Sequence, residues 1–523
     1  MEFGSEHKRK RWYVAVVGGM VGASGLATAG VVTIIAPSTG PASAAEQTVA
    51  RSAADGGSKD DGKKDDGKKD DGKKDDGKKD DGKKDDGKKD DGKKDDDKRK
   101  DVKKIGCDPD ELIAALVRAN ADGGAKLELE PKCTYTLTAF DEGDTGFENE
   151  LSGLPQIVER VKIDGNGAKI VRAANAEPFR IFNVGVGGDL TLRDLTLKGG
   201  DARETELGGG ALLVQEGGRA TVEDSKLTLN RSDSFGGAIT NLGITKISGE
   251  DKSEKDDDQK DDPKKDDYGK DGSKKDDHRE DGSEITNNSA VLDGGAIANV
   301  GALSVEKTRV SRNDAENGGA LATFAGVAKV TKSEVDHNQA LEDGGAVFAE
   351  GDGTIMQVKE SYVHDNTAGE DGGAFFSEGS QFFVERSKVV HNTAGDDGGA
   401  AINNFGEFVV EKSKLNENKA IGGVAGGFGN AGEAVLRNSE VNENTAFAPF
   451  SEFSGFGGGI VNVDEGTLRL TKTDVIENAS TEAPGGVFND VEDGVLVDDK
   501  STIIKNRPTN CAGSPEDVPN CFG

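Results

Sequence analysis

Bulky side chains and positive charge are what this chain is short of. Aromatic residues make up 5% of its 523 residues, whereas glycine occurs 75 times. That balance disfavours a large helical core and favours short strands punctuated by turns. The formal charge of −32 leaves no basic surplus of the kind nucleic acid requires, so nucleic acid is not an expected partner. An acidic surface keeps a chain soluble and attracts cations; a merely solvated surface is the simpler reading. Cysteine is scarce too. The four fall into two local pairs, Cys107 with Cys133 and Cys511 with Cys521. Together with an export signal, an even count reads as two disulfides, one near each end of the repeats. The tight Cys/His clusters of a zinc site are missing.

What is present is repetition. Gly-Gly-Ala recurs at Gly209-Gly210-Ala211, Gly236-Gly237-Ala238, Gly294-Gly295-Ala296, Gly318-Gly319-Ala320, Gly344-Gly345-Ala346, Gly372-Gly373-Ala374 and Gly398-Gly399-Ala400. Looser copies are read at Gly426-Gly427-Phe428, Gly458-Gly459-Ile460 and Gly485-Gly486-Val487. From Gly319 to Gly427 the second glycines step by 26, 28, 26 and 28 residues. A period of this length marks a stacked repeat architecture.

Two further columns accompany the glycines. One runs from Ser or Thr to Asn five residues later, as in Ser333 to Asn338, Ser361 to Asn366, Ser387 to Asn392 and Ser413 to Asn418. The other lies three residues before each Ser or Thr: Val222, Val305, Val330, Val358, Val384, Val410, Leu436 and Leu470. Each repeat thus offers about three short strands. One repeat cannot bury its apolar face alone, so successive coils must stack at the ~4.8 Å spacing of paired strands. Asn at a fixed turn position tolerates a left-handed backbone and can bond to the Asn above and below. Gly-Gly supplies a bend where a Cβ would clash. Regular two-residue Asn-Gly hairpin turns are lacking, which favours parallel coiling. Roughly a dozen coils would make a rod of about 55–60 Å.

The expected fold class is therefore all-β: a right-handed parallel β-helix, or solenoid, with an N-terminal capping helix and disordered Lys/Asp-rich segments. The helix opens at Asp108-Pro109-Asp110-Glu111, with Asp108 as N-cap and Pro109 at N1. Leu112, Ile113, Leu116 and Val117 are its expected apolar face. Residues 1–44 read as a signal peptide: basic His7 to Arg11, an apolar stretch, and Ala42-Ser43-Ala44 as the cleavage signal. The apolar stretch is long enough that an uncleaved anchor is the alternative, and only then is a membrane involved. Residues 45–104 carry Lys-Lys-Asp-Asp-Gly repeats and read as a disordered linker spanning about 40 Å on average, either a spacer or an expansion without a role. Residues 105–523 form the β-helix domain. A second Lys/Asp-rich run at about 248–282 interrupts it as a disordered turn insertion, after which the pattern resumes in register. A smaller insertion, Ala446 to Gly457, carries Phe447, Phe450, Phe453 and Phe456, expected to fold over the core edge rather than to form a sticky surface.

Gly294-Gly295-Ala296-Ile297 and Val335-Asp336-His337-Asn338 resemble the repeats of chlamydial polymorphic outer-membrane proteins. Asp164-Gly165-Asn166-Gly167-Ala168 is similar to the opening coil of secreted right-handed β-helix proteins of the pectate-lyase-like superfamily. The resemblance covers about residues 108–506. It implies fold more than function, because that fold hosts lyases, hydrolases, adhesins and passive spacers. A C-terminal block of alternating strands able to form a membrane barrel is lacking.

Candidate chemistry lies at Asp343, Asp371 and Asp397, which precede Gly-Gly in successive coils, with Glu342, Glu370 and Asp396 beside them. Stacked carboxylates repel unless a cation lies between them, so Ca²⁺ ligation is one reading and a solvated turn the other. His337, His364 and His391 sit beside the Asn column; a transition-metal site and ordinary exposed turns are the two readings. The recurring Ser belongs to the repeat, so no catalytic triad is assigned. The leading expectation is a secreted or cell-surface, non-catalytic interaction or adhesin-like rod. Its partner would be an extracellular or cell-wall polymer or a host or surface protein. The alternative is a secreted polysaccharide lyase or hydrolase, although arginine is scarce in the middle repeats.

Overall fold

The computed structural model describes residues 102–140, 151–203, 205–250, 282–449 and 455–523. The chain divides into two units, and all described residues belong to the one containing residues 98–523. The proposed signal segment and nearly all of the proposed linker lie outside the described residues. So do most of the second Lys/Asp-rich run, and Phe450 and Phe453 of the smaller insertion.

The described residues form a parallel β-solenoid of about 13 turns with one short helix. A representative coil begins at Ala346 and runs through the strands Val347–Glu350, Ile355–Lys359, Tyr362–His364 and Thr367–Ala368. Each pairs in parallel with its counterpart one coil on: Val347 with Phe375, Val358 with Val384, Val363 with Val389, Ala368 with Ala394. The sequence pattern accounts for three of these strands. The fourth, two residues long, builds its own ten-stranded ladder. It escapes a periodicity search because it holds one inward Ala or Ser per coil.

Helix α1 spans Pro109–Ala121, and the Asp108 side chain accepts the Asp110 N–H at 2.9 Å. Its buried face is Leu112, Ala115, Leu116 and Ala119, with Ile113 partly buried. Val117 is exposed, contrary to expectation. The small alanines take its place because they let the helix approach the first coils closely. The strand Lys103–Ile105 pairs with Leu127–Leu129, so Lys103 and Lys104, assigned to the linker, join the first coil together with Ile105. Disulfides join Cys107 to Cys133 and Cys511 to Cys521.

The expected Val/Leu column is buried throughout, and Leu227, Ile285, Val310, Val335, Val363, Val389 and Leu415 form a second interior stack. Phe382 and Phe408 stack face to face at 4.7 Å, and Phe428 packs on Phe408 at 5.1 Å. A second apolar layer was not anticipated. Phe348, Phe376, Ile402 and Val461 occupy the outward side of the first strand ladder yet are buried. Phe456 of the smaller insertion joins this layer against Phe488 at 4.1 Å, whereas Phe447 stays exposed.

Two details of the repeat differ from the sequence reading. In the looser copies the register is shifted by one residue. The Ala400 N–H donates to Gly427 O, and Ala401 pairs with Phe428, so Gly427 stands in the Ala column and Ala425-Gly426 takes the Gly-Gly place. Ala425 adopts φ +58° there. The left-handed turn residue is also not the Asn but the one before it: His337, Asp365, His391 and Glu417 all have φ between 54° and 58°. That backbone reversal turns the following Asn inward. The two glycines do different work. Gly344 has φ +64°, and a Cβ on Gly345 would lie 2.3 Å from Gly373 O.

The in-register resumption after the second Lys/Asp-rich run holds. Ser283 Oγ donates to Ser248 O at 2.8 Å, and Gly249 abuts Gly282. The described residues on either side of the run therefore meet at one turn.

Candidate functional site

Polar side chains line the solenoid in continuous columns. In the Asn column, Asn338, Asn366, Asn392, Asn418 and Asn444 repeat one unit. Each Oδ1 accepts both the main-chain N–H and the Nδ2–H of the Asn one coil before it, at 2.9–3.0 Å. In the Ser column, Ser333, Ser361 and Ser387 each accept the N–H of the preceding coil's residue, and each donates its hydroxyl to the carbonyl two residues earlier. A second Asn ladder, Asn403 to Asn430 to Asn462 to Asn489, was missed. Its signal was an Asn two residues after the start of the first strand in those coils. These columns satisfy buried polar groups; they are architecture.

The acidic column is another matter. Asp343 and Asp371 are buried, at 0% and 1% exposure, and Asp397 is half-buried. The solvated-turn reading is thus overturned: the carboxylates lie under the turn that precedes Gly-Gly. The column brings the three together in order. Asp371 N–H donates to Asp343 Oδ1 at 3.2 Å, Asp397 N–H to Asp371 Oδ1 at 3.0 Å, and Val424 N–H to Asp397 Oδ1 at 2.6 Å. Upstream the column continues through Asn317, whose Oδ1 accepts Asp343 N–H at 3.1 Å and whose Nδ2 donates to Asp293 Oδ1 at 2.9 Å. Asp293 also precedes Gly-Gly, so its place in the column was readable and was missed. Asp371 Oδ2 is buried without a hydrogen-bond partner. Burial, and then the neighbouring Asp397 and Asp343 carboxylates, push the Asp371 carboxyl well above the usual range. Burial and the Asp396 charge raise Asp397. Burial, opposed by the Asn317 hydrogen bond and reinforced by Glu316, Glu350 and Glu342, pushes Asp293 up to about 7. These carboxylates are acceptors only when ionised; hard oxygen donors of this kind suit Ca²⁺ or a proton.

The histidines form a second cluster, on the third strand ladder and its turn. His364 Nε2 lies 3.1 Å from Glu334 Oε1, and its Nδ1 lies 2.7 Å from Asp365 Oδ2. Tyr362 stacks on the ring at 4.0 Å, and His337 meets it edge-on at 6.1 Å. Burial opposes the imidazolium, but the Glu334 and Asp365 hydrogen bonds prevail and raise the His364 pKa. Glu334, Asp336 and His364 hold ligand atoms within 4.8 Å of one another. Asp336, however, is already engaged. Arg309 grips both its oxygens at 2.9 and 2.8 Å, and Ser311 Oγ and His337 Nδ1 reach Oδ2 at 3.0 and 2.8 Å. What remains is a carboxylate–imidazole pair. His391 stands apart, paired with Glu417 at 2.9 Å. It lines an open concavity of about 420 Å³ with Asp365, Thr393, Glu417 and Lys419.

No family model, curated protein or solved structure matches the chain.

Proposed function

We propose that the chain is a non-catalytic interaction rod, adhesin-like, displayed at a cell surface or released outside the cell. What supports this is a long, uniform stack of coils with a disulfide near each end. Disulfides persist in oxidising compartments. On this reading the N-terminal segment exports the chain, α1 covers the first coil, and the coils present an extended side to a wall polymer or a host or surface protein. Kinship with the pectate-lyase-like superfamily, and with repeats of the chlamydial outer-membrane type, belongs to the same reading. Protease shaving of intact cells should release solenoid peptides, and a pull-down against wall polymers and surface proteins should enrich a partner. Retention inside the cytoplasm with all four thiols alkylatable would refute it.

A second reading has one observation behind it: the concavity at His391 is flanked by the Asp365 and Glu417 carboxylates. A carbohydrate-active enzyme would use such groups for acid–base work. Unsaturated or reducing-end products from a panel of acidic polysaccharides, lost in Glu417→Gln, would establish it over the first reading.

A further inference from the structure

Residues 508–523 form no strand or helix, yet they finish what the last coil leaves open. In earlier coils the N–H at the start of the first strand donates to the residue in the Ala column one coil on: Val347 to Ala374 O, Phe375 to Ala400 O, Phe428 to Gly459 O and Ile460 to Gly486 O. Among the described residues no coil follows Val487, and its N–H donates instead to Asn510 O at 2.9 Å. The Asn510 side chain closes a second column. Asn506 N–H and Nδ2 donate to its Oδ1 at 3.0 and 3.2 Å, as those of Asn478 do to Asn506. Ser514 Oγ accepts the Asn489 N–H at 3.2 Å and donates to Val487 O at 3.1 Å, and Glu516 N–H reaches Asn489 O at 3.0 Å. The second Asn ladder ends on Asp517 O, which accepts Asn489 Nδ2 at 3.1 Å. Asn520 Nδ2 donates to Val497 O at 2.8 Å. Cys511, Val518 and Cys521 pack against the end of the core.

The disulfide joins the segment's two outer anchors. Asn510 grips the first strand and the Asn column, Asn520 grips the second strand, and each is followed at once by a cysteine of the Cys511–Cys521 bond. Without that bond the segment would depend on hydrogen bonds that water can replace. A crosslink over so short a loop favours the closed arrangement on the order of a hundredfold by restricting the open one. What lies beneath needs cover. Val487–Asn489 is a sheet edge with no charged residue and no proline, two guards that exposed edges commonly carry. Its outer side offers the Val487 and Asn489 N–H groups and carbonyls, all four now held by the segment. Leu496 and Ile504 add exposed apolar surface at the same end.

We propose that residues 508–523 are a disulfide-latched cap, and that opening the latch lets the solenoid pair end to end with a second copy of this chain. A dithiol reductant opens it: a thiolate attacks the Cys511–Cys521 bond, both cysteines are released as thiols, and the reductant becomes its own cyclic disulfide. The freed strand Val487–Asn489 then meets the same strand of a second copy across a two-fold axis, in antiparallel register. A two-fold contact closes on itself. The opposite end of the rod cannot substitute, because α1 buries Leu112, Ala115 and Leu116 against the first coils. The product is therefore a dimer and not a fibre, and oxidation keeps the rod single.

The test is sedimentation velocity of the full chain over a wide range of concentration, with hydrogen exchange read at the Val487 and Asn489 amides. Oxidised wild type should stay monomeric with both amides protected. Dithiothreitol, or Cys511→Ser combined with Cys521→Ser, should speed their exchange at least about tenfold in dilute solution and double the sedimenting mass at high concentration. Cys107→Ser combined with Cys133→Ser leaves the C-terminal latch intact, so it should behave as oxidised wild type and dimerise only when dithiothreitol is added. If that control fails to fold, the Cys511 and Cys521 variant without reductant decides the matter alone. Amides that stay protected in the latch variant show that the cap holds without its disulfide and overturn the proposal. So do freed amides in a variant that remains monomeric at every concentration, because the edge then does not pair. Species larger than a dimer, or a dimer of the oxidised wild type, place the contact elsewhere on the rod and overturn it as well.

Discussion

Asn392 is the most informative residue to remove. It is fully buried and takes part in several hydrogen bonds. Its Nδ2 donates to Asn418 Oδ1 at 3.0 Å, Val363 O at 3.2 Å and Val390 O at 3.0 Å. Its Oδ1 accepts the main-chain and side-chain N–H groups of Asn366, both at 3.0 Å. In Asn392→Ala the Asn366 Nδ2 keeps Val335 O and His364 O as acceptors. The Asn366 main-chain N–H loses its acceptor in a dry interior, at about 1–3 kcal/mol. The lost side-chain bonds and the small cavity add about 1–2 kcal/mol. The expected loss is therefore about 3–4 kcal/mol. Asn392→Asp should be worse at pH 7, because it sets an oxygen where Nδ2 faced three acceptors, and it should recover in part at pH 4 as the acid becomes a donor. Asn416→Ala is the control: its Oδ1 accepts one N–H, that of Asn442, at a half-buried position, so it should cost under about 1 kcal/mol. Urea unfolding followed by circular dichroism gives the totals, and amide exchange at Asn366 and Asn392 localises them, since solenoid coils couple mainly to their neighbours. A loss below about 0.5 kcal/mol for Asn392→Ala, or an Asp variant milder than Ala at pH 7, would refute the reasoning.

Asp293, with its pKa pushed up to about 7, gives a pH dependence of definite sign. The native state holds the proton more tightly than the unfolded chain, so stability falls as pH rises from about 4 through 7 and then levels. The raised pKa corresponds to at most about 4 kcal/mol, and solvent access reduces that to about 1–2 kcal/mol. Asp293→Asn should make a plot of stability against pH shallower by that amount, leaving the part due to Asp371 and Asp397, which burial also raises. Phe408→Ala, at the centre of the Phe382–Phe408–Phe428 stack, should cost about 3–5 kcal/mol by denaturant titration. Replacing residues 251–281 by a few glycines and serines should leave Tm unchanged within about 2 °C, because Gly249 already abuts Gly282 and loop length is entropically cheap.

The fold was legible because its signals are local and recur: Gly-Gly, Ser and Asn each reappear once per coil. The N-cap at Asp108 and the return of register at Ser283 were readable for the same reason. What was hidden depends on how coils meet. Gly-Gly followed by Phe428 reads as Gly-Gly-Ala with a substitution, and only strand pairing with Ala401 reveals a one-residue shift. The burial of Asp343 and Asp371 was hidden too. An acidic residue before Gly-Gly looks like a solvated turn, and nothing local announces the outer apolar layer of Phe348, Phe376 and Ile402. The pairing of Glu334 with His364 joins residues 30 apart, and neither belongs to a repeating column.

The polar columns, more than the apolar ones, choose the register of this stack. Val, Leu, Ile, Met and Phe replace one another along the interior strands, so an apolar column alone would tolerate coils slipped by two residues with little penalty. The Asn and Ser columns do not tolerate it. A slip would strand the Asn366 N–H, the Ser333 N–H and each of their repeats together, at about 1–3 kcal/mol per buried group. The left-handed residues before each Asn, His337 and His391 among them, carry strain of about 1–2 kcal/mol apiece. That strain persists because it turns the next amide into the column. The same logic isolates the acidic column. It keeps the backbone-to-side-chain half of the Asn pattern and lacks the side-chain donor at Asp371, whose Oδ2 stays buried without a partner.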